Sequence, residues 1–271
     1  MNLHRGSQSI QTRATSPSQT RARDVPLISI ITVVLNAADT LERTIQSVLK
    51  QDFDDLEYVI IDGGSTDGSL DVIRRYESEI RYWRSEPDNG LYDAMNKGVR
   101  ASKGRWVLFL GADDLLVHSL RDIAPLLTDE RTVYYGDVYM PERQLIYDGP
   151  FSAYKIMFYN ICQQAIFYPR GVFESYSFDT RYKLWADHAF NIVCYGDARF
   201  RFKYIRKLVC LYNDQSGASA NTVDPKFQAD RESLIKAHFP PALFLAYLLR
   251  TRAAKFKRWC SSVIRRRWTS M

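Results

Sequence analysis

A chain of 271 residues with 46% apolar and 25% charged residues has ordinary globular composition, long enough for one large α/β domain with appendages. Its four cysteines, Cys162, Cys194, Cys210 and Cys260, have neither CxxC nor other metal-ligand spacing, which argues against a disulfide framework or zinc site and for a reducing compartment. The net charge of +6 divides into +3 over residues 1–25, +8 over residues 242–271 and −5 between them, so the body is acidic, a nucleic-acid groove across it is disfavoured, and the basic end needs an anionic partner.

Residues 1–24 are rich in Ser, Thr, Gln and Arg and are expected to be disordered, because so few apolar side chains cannot offset the entropy lost on ordering. They hold no apolar h-region, so export by a signal peptide is not expected. The β-branched run 27–35, LISIITVVL, predicts a first, central strand that Asn36-Ala37-Ala38 breaks. Asp39 and Glu42 form a D-x-x-E start signal, and Leu41, Ile45, Val48 and Leu49 follow at helical spacing, predicting a helix over about 40–51. A second strand at 57–61 implies a parallel strand-helix-strand unit. The loop 62–68, DGGSTDG, has two readings. In one, Ser65 or Thr66 caps the helix of Leu70, Ile73 and Tyr76. In the other, Asp62 accepts hydrogen bonds from a base or ribose while the glycines admit close approach. VVLNAADT after the first strand lacks the GxGxxG of a dinucleotide-binding fold, and there is no Walker lysine.

Residues 80–83 predict a third strand, and 91–101 a helix with Ala94, Met95 and Gly98 on one face, Gly98 admitting a neighbouring backbone. The apolar run 106–110 predicts a strand buried on both faces, ending at Gly111. Asp113 and Asp114 stand just beyond, where open α/β sheets gather ligand-binding groups. Adjacent carboxylates repel unless screened, and a divalent metal holding phosphates suits them; the alternative is a solvated turn capping a helix that starts near Leu115. A helix near 116–127 and a hairpin of strands at 132–139 and 143–147 would complete a mixed sheet.

The segments SIITVVLN, YVIIDGGSTDGS, SEPDNGLYDAMNKG, ASKGRWVLFLGADD and KLWADHAF, in this order over about residues 27–220, resemble the inverting family 2 glycosyltransferases of the GT-A fold, particularly those of bacterial surface-polysaccharide assembly. The resemblance implies an α/β domain over residues 26–240, with a Rossmann-like, mixed but mostly parallel sheet and flanking helices. It implies that Thr32, Val34, Asn36 and Ala112 line a nucleotide pocket, that Asp62 and Asp88 contact the uracil and ribose of a UDP-sugar, and that Lys97 lies nearby. Asp113 would be the last acid of the family's D-x-D metal motif; Gly111 stands at its first acid, leaving Asp113 and Asp114 to hold Mn²⁺ or Mg²⁺. Asp187 falls at the general-base position. The implied activity is metal-dependent, inverting transfer from a nucleotide sugar, UDP-linked, to a lipid-linked saccharide acceptor at the cytoplasmic face of the membrane. Two rivals are a nucleotidyltransferase, disfavoured by the missing Gly-rich basic loop after strand one, and a non-catalytic sugar-nucleotide-binding protein, which Gly111 would suit.

The aromatic, irregular stretch 149–180 is expected to form core on the acceptor side. A helix opens within 183–190; by residue type alone Asp187 is a cap, and His188 is a solvated or supporting histidine rather than a metal ligand. Segments 200–204 and 207–212 read as strands and 230–237 as a helix. Residues 214–219 read as a surface turn or, by the resemblance, as the loop that closes over the diphosphate. On a helical wheel of 243–264, Leu245, Leu248, Leu249, Phe256, Trp259 and Val263 share one side, with Arg250, Lys257, Arg258 and Arg265 largely opposite. The apolar part is too short to span a bilayer. Residues 241–271 therefore read as a basic amphipathic helix on an anionic membrane surface, or as one packed on the catalytic domain.

Overall fold

The computed structural model describes residues 25–117, 119–215 and 223–268, with side chains as far as residue 257. The disorder expected for residues 1–24, and residues 216–219 of the loop expected at 214–219, lie outside the described residues.

Strands β1 (Ile28–Val34), β2 (Leu56–Asp62), β3 (Tyr82–Ser85) and β4 (Trp106–Gly111) alternate with helices α1 (Ala38–Leu49), α2 (Ser69–Arg75) and α3 (Leu91–Ala101). They pair in parallel in the order β3-β2-β1-β4. The apolar runs of β1, β2 and β4 are buried on both faces because helices cover both sides, whereas the edge strand β3 is partly exposed. Ile30, Ile60 and Leu108 face α1 and α2, whereas Ile31, Ile61 and Phe109 face α3. The chain continues through β5 (Leu115–Leu116), α4 (Leu120–Ile123), β6 (Thr132–Met140), β7 (Leu145–Tyr147), α5 (Ala153–Ile156), β8 (Ile166–Pro169), α6 (Arg170–Ser175), α7 (Ala186–Gly196), β9 (Arg201–Leu211), α8 (Pro225–His238) and α9 (Pro241–Trp268). Antiparallel β8 joins β4 to β6, and the sheet runs on through β9 to β5, with β7 hairpinned on β6.

Four expectations change. Leu115 does not start a helix; Leu115 and Leu116 pair with Leu211 and Cys210. The strands at 200–204 and 207–212 are one, carried through Arg206 at φ 50°. Gly98 makes room for a side chain, not a backbone: a Cβ there would lie 2.5 Å from Ile31 Cγ2. Asp39 sits inside the first turn of α1, whose N-cap position is Ala37.

The 149–180 stretch supplies core as expected, with Phe178 edge-on to Phe109 at 5.4 Å. Helix α9 packs Leu243, Phe244, Tyr247 and Leu248 onto that core and leaves Leu245, Leu249 and Phe256 exposed. Arg250 also turns inward, its guanidinium 4.1 Å from the Phe158 ring centre and flanked by Tyr154 and Tyr159. The expected partition therefore holds in part: Leu248 and Arg250 face the body, while the side chains of Arg258, Trp259, Val263 and Arg265 lie outside the described residues. No described helix is long and apolar enough to cross a membrane.

Candidate active site

The C-terminal ends of β3, β2, β1 and β4 bring the loops at 35–37, 62–68, 86–90 and 111–114 to one edge of the sheet. The 62–68 loop caps the wrong helix for a simple turn. Ser65 and Ser69 hydroxyls accept the N–H groups of Asn36 and Ala37, and Asp67 accepts that of Ala38, at 2.8–2.9 Å, so the start of α1 is satisfied from the neighbouring unit. Asn36, at φ 51°, returns a bond from the Thr66 N–H. Helix α2 starts instead from Gly68 at φ +101°, without a side-chain cap.

Asp62 is fully buried. Its Oδ2 accepts the Gly64 and Ser65 N–H groups and the Ser85 hydroxyl, whereas Oδ1 has no partner among the described residues. Leaving a buried acceptor unmatched costs about 1–3 kcal/mol, which a ligand donor would recover. Asp88 accepts the Gly90 N–H through Oδ1 and lays Oδ2 against Gly63, where any Cβ would collide with it. Lys97 lies beside this site but braces it, bonding the Pro87 carbonyl and pairing with Glu86 and Asp93. Thr32 and Val34 do not offer side chains to a pocket: both are buried toward α1, and the Thr32 hydroxyl accepts from Tyr58. Ala112 is fixed through its carbonyl, which accepts the Thr40 hydroxyl.

The two acids after β4 are unlike. Asp113 is partly exposed, lines a cleft with Thr40, Arg43 and Gln215, and accepts the Asn213 amide. Asp114 is 1% exposed; its Oδ1 accepts the Asn213 N–H and its Oδ2 has no partner among the described residues. Burial pushes its carboxyl up to about 7, with the Asn213 N–H opposing and Asp113 adding. A solvated Asp-Asp turn is thereby excluded. A Cβ on Gly111 would collide with Asp114 Oδ2 and lie 3.1 Å from Asp113 Oδ1. The Asp114 carboxylate thus occupies the space of a side chain at position 111, and the glycine there is a packing requirement. Two oxygens converging on Gly111, one of them unmatched, suit a hard cation. Among the described residues no group of three or more His, Cys, Asp or Glu could hold a metal, so further ligands would be carbonyl oxygens, water or substrate.

Asp187 is the second residue of α7, whose N-cap position is Trp185, so it is not a cap. Its Oδ1 accepts the Tyr92 hydroxyl at 2.8 Å and its Oδ2 the Asn160 amide at 2.6 Å. Burial raises its carboxyl to about 6, with the Tyr92 bond the main opposing effect. His188 is not solvated: it is fully buried, its Nε2 2.8 Å from the Ile156 carbonyl and its ring against Phe227. Burial lowers it to about 3, so it stays neutral. The 160–164 segment connects the two acidic centres. Asn160 bonds Asp187, the Gln164 amide moderates Asp114, and Cys162 Sγ donates to Gln164 Oε1. Burial holds the Cys162 thiol far above its ordinary range, with Asp114 and Asp187 both near enough to add to it. Sequence reasoning missed Tyr92, Asn160, Gln164 and Asn213. Tyr92 stood inside the DNGLYDAMNKG segment, but Asn160 carried no local signal.

The family model described as Glycosyl transferase family 2 matches residues 29–209. A PGL/p-HBAD biosynthesis glycosyltransferase of Mycobacterium bovis is 37% identical over 211 residues, 74% of this chain and 82% of that protein. Among solved structures, S. aureus TarS 1–349 in complex with UDP matches with a TM-score of 0.63 at 19% identity, over 78% of this chain and 65% of that one. The mannosyltransferase PcManGT from Pyrobaculum calidifontis, in complex with GDP-Man and Mn²⁺, matches with a TM-score of 0.57 at 17% identity, over 89% of this chain and 84% of that one. The structural matches identify the GT-A fold, as the resemblance implied. With two thirds of its length matched by the family model, this chain belongs to glycosyl transferase family 2.

Proposed function

We propose that this glycosyltransferase moves a sugar, with inversion, from a UDP-sugar to a lipid-carried saccharide acceptor in surface-polysaccharide assembly, at the cytoplasmic face of the membrane. The observation that carries this reading is Asp187, a buried carboxyl held by the Tyr92 hydroxyl and the Asn160 amide, raised to about 6 and with no ion pair among the described residues, with Cys162 near both it and Asp114. A base poised near working pH can take the proton of an acceptor hydroxyl as it attacks the anomeric carbon, and no covalent enzyme intermediate is needed. On the donor side, Asp62 and Asp88 receive the nucleoside, with Asp62 Oδ1 as the waiting acceptor. Asp113 and Asp114 would hold Mn²⁺ or Mg²⁺, which when bound neutralises charge on the diphosphate. The UDP reading is supported by the family resemblance and by TarS, solved with UDP bound; PcManGT was solved with GDP-Man, so the base is the point to test. The membrane reading is supported by the exposed Leu245, Leu249 and Phe256 and the eight basic residues after position 241.

Nucleoside diphosphate release from a panel of nucleotide sugars, with a lipid-linked saccharide and with or without Mn²⁺, tests the activity. Asp187→Asn should lower kcat by about 10²- to 10⁴-fold while donor binding persists. A folded variant within a few-fold of the parent would falsify the base assignment.

A further inference from the structure

We infer that Asn160 is the positioning residue of Asp187, as the last member of a one-way hydrogen-bond relay that starts at Tyr168 and passes through Asn191. This rests on reading Asp187 as the base. The contacts are Asn160 Nδ2 to Asp187 Oδ2 at 2.6 Å, Asn191 Nδ2 to Asn160 Oδ1 at 2.8 Å, and Tyr168 hydroxyl to Asn191 Oδ1 at 2.8 Å. Their direction follows from chemistry. An ionised carboxylate only accepts, so Asn160 must turn its NH₂ toward Asp187 and its carbonyl toward Asn191. Asn191 must then offer its own NH₂, and its carbonyl is left to accept from Tyr168. Every member is satisfied while Asp187 is charged. The Tyr147 hydroxyl, bonded to the Asn160 carbonyl at 2.7 Å, pins the backbone that carries the last donor.

The relay adds its donor to those of the Tyr92 hydroxyl and the His188 and Asp187 N–H groups, which also favour the charged carboxylate. Among the described residues, the titratable groups near Asp187 are Tyr92 from α3, Tyr147 from β7, Cys162 from the loop before β8 and Tyr168 from β8, with His188 next to it along α7. Burial keeps all of these neutral near neutral pH. Asp114 lies beyond Cys162. The basic groups of the adjoining segments, Lys183 and Arg231, are bonded to the carbonyls of Asn89 and Met157. Neutral donors alone therefore resist the desolvation that raises the Asp187 carboxyl, and Asn160 makes the shortest bond to it.

The test is a carbon NMR titration of the full chain labelled at aspartate Cγ, with the Asp187 resonance assigned by its absence in Asp187→Asn. A hydrogen bond to a charged group is worth about 1.5–3 kcal/mol, equivalent to roughly 1–2 pH units in the midpoint. Asn160→Ala should move the Asp187 midpoint up by that amount, and Tyr168→Phe, which removes one distant hydroxyl, should move it up by less. The acidic limb of kcat/KM for UDP release should follow the midpoint. A fall in melting temperature with an unmoved midpoint would mean that Asn160 merely packs, and would overturn the inference. If Asn160→Ala does not fold, an unmoved midpoint in Tyr168→Phe overturns it equally. A midpoint that moves while the activity limb stays put supports the relay and sinks Asp187 as the base, so the two failures are distinguishable.

Discussion

Replacing Asp187 with Asn should stabilise the protein while stopping it. Burial lifts this carboxyl from 3.8 to about 6, so the folded state resists ionisation that the unfolded state allows. Below pH 3.8 both states hold the proton and Asp187 costs nothing. Between 3.8 and 6 the unfolded chain releases it first, and stability falls as pH rises; above 6 both are ionised and the penalty is complete. A shift of about 2 units corresponds to about 3 kcal/mol. Asparagine removes that penalty without orphaning its neighbours. Its Oδ1 can accept from Asn160, and its Nδ2 can donate to the Tyr92 hydroxyl, whose single proton then turns from position 187 to the Leu184 carbonyl, 2.8 Å away. The gain should be about 3 kcal/mol at pH 7.5 and about 1 kcal/mol at pH 4.5, read by denaturant unfolding. Heated at pH 7.5, the variant should melt roughly 6–10 °C above the parent. A variant less stable than the parent at pH 7.5, or one gaining equally at both pH values, would refute the account of a buried, reluctantly ionised carboxylate.

Restoring the family's acid with Gly111→Asp should destabilise the fold by about 1–3 kcal/mol through overpacking against Asp114, and should leave Mn²⁺ affinity no higher; thermal melts and calorimetry would show whether it does. With few protein carboxylates at the site, Mn²⁺ and UDP should each tighten the other's binding reciprocally, and identical Mn²⁺ affinities with and without UDP would count against that metal site. The double change Leu245→Ser and Leu249→Ser alters exposed positions, so stability should move by no more than about 0.5 kcal/mol. Sedimentation with anionic vesicles should nevertheless drop, and unchanged pelleting would remove the proposed role of α9.

The parallel half of the sheet was legible because its signals are local: β1 and β4 are apolar runs of strand length, and α3 ends where its periodicity ends. Strand β5 was not, since two leucines become a strand only through partners about 95 residues away in β9. The same limit governed the site. Asp62, Asp88 and Asp113 sit at strand ends that the pattern itself marks. The side chains of Thr32 and Val34, expected to line the nucleotide pocket, are instead turned toward α1 by strand phase, with its period of two. Residue type alone made Asp187 a cap and only the resemblance set it at the general-base position, because the sequence reveals a helix start but not the hydroxyl and amide that two distant segments bring to it.

The exchange of caps between the first two strand-helix units has a dynamic consequence. Asn36 belongs to one loop and Ser65, Asp67 and Ser69 to the next, yet each loop satisfies the other's backbone. Neither can open alone without stranding N–H groups, so the donor edge should fluctuate as a single unit. Amide hydrogen exchange at residues 36–38 and 64–66 should then proceed with a common opening free energy. A ligand bonded to Asp62 alone would slow exchange at the start of α1, a helix it never touches.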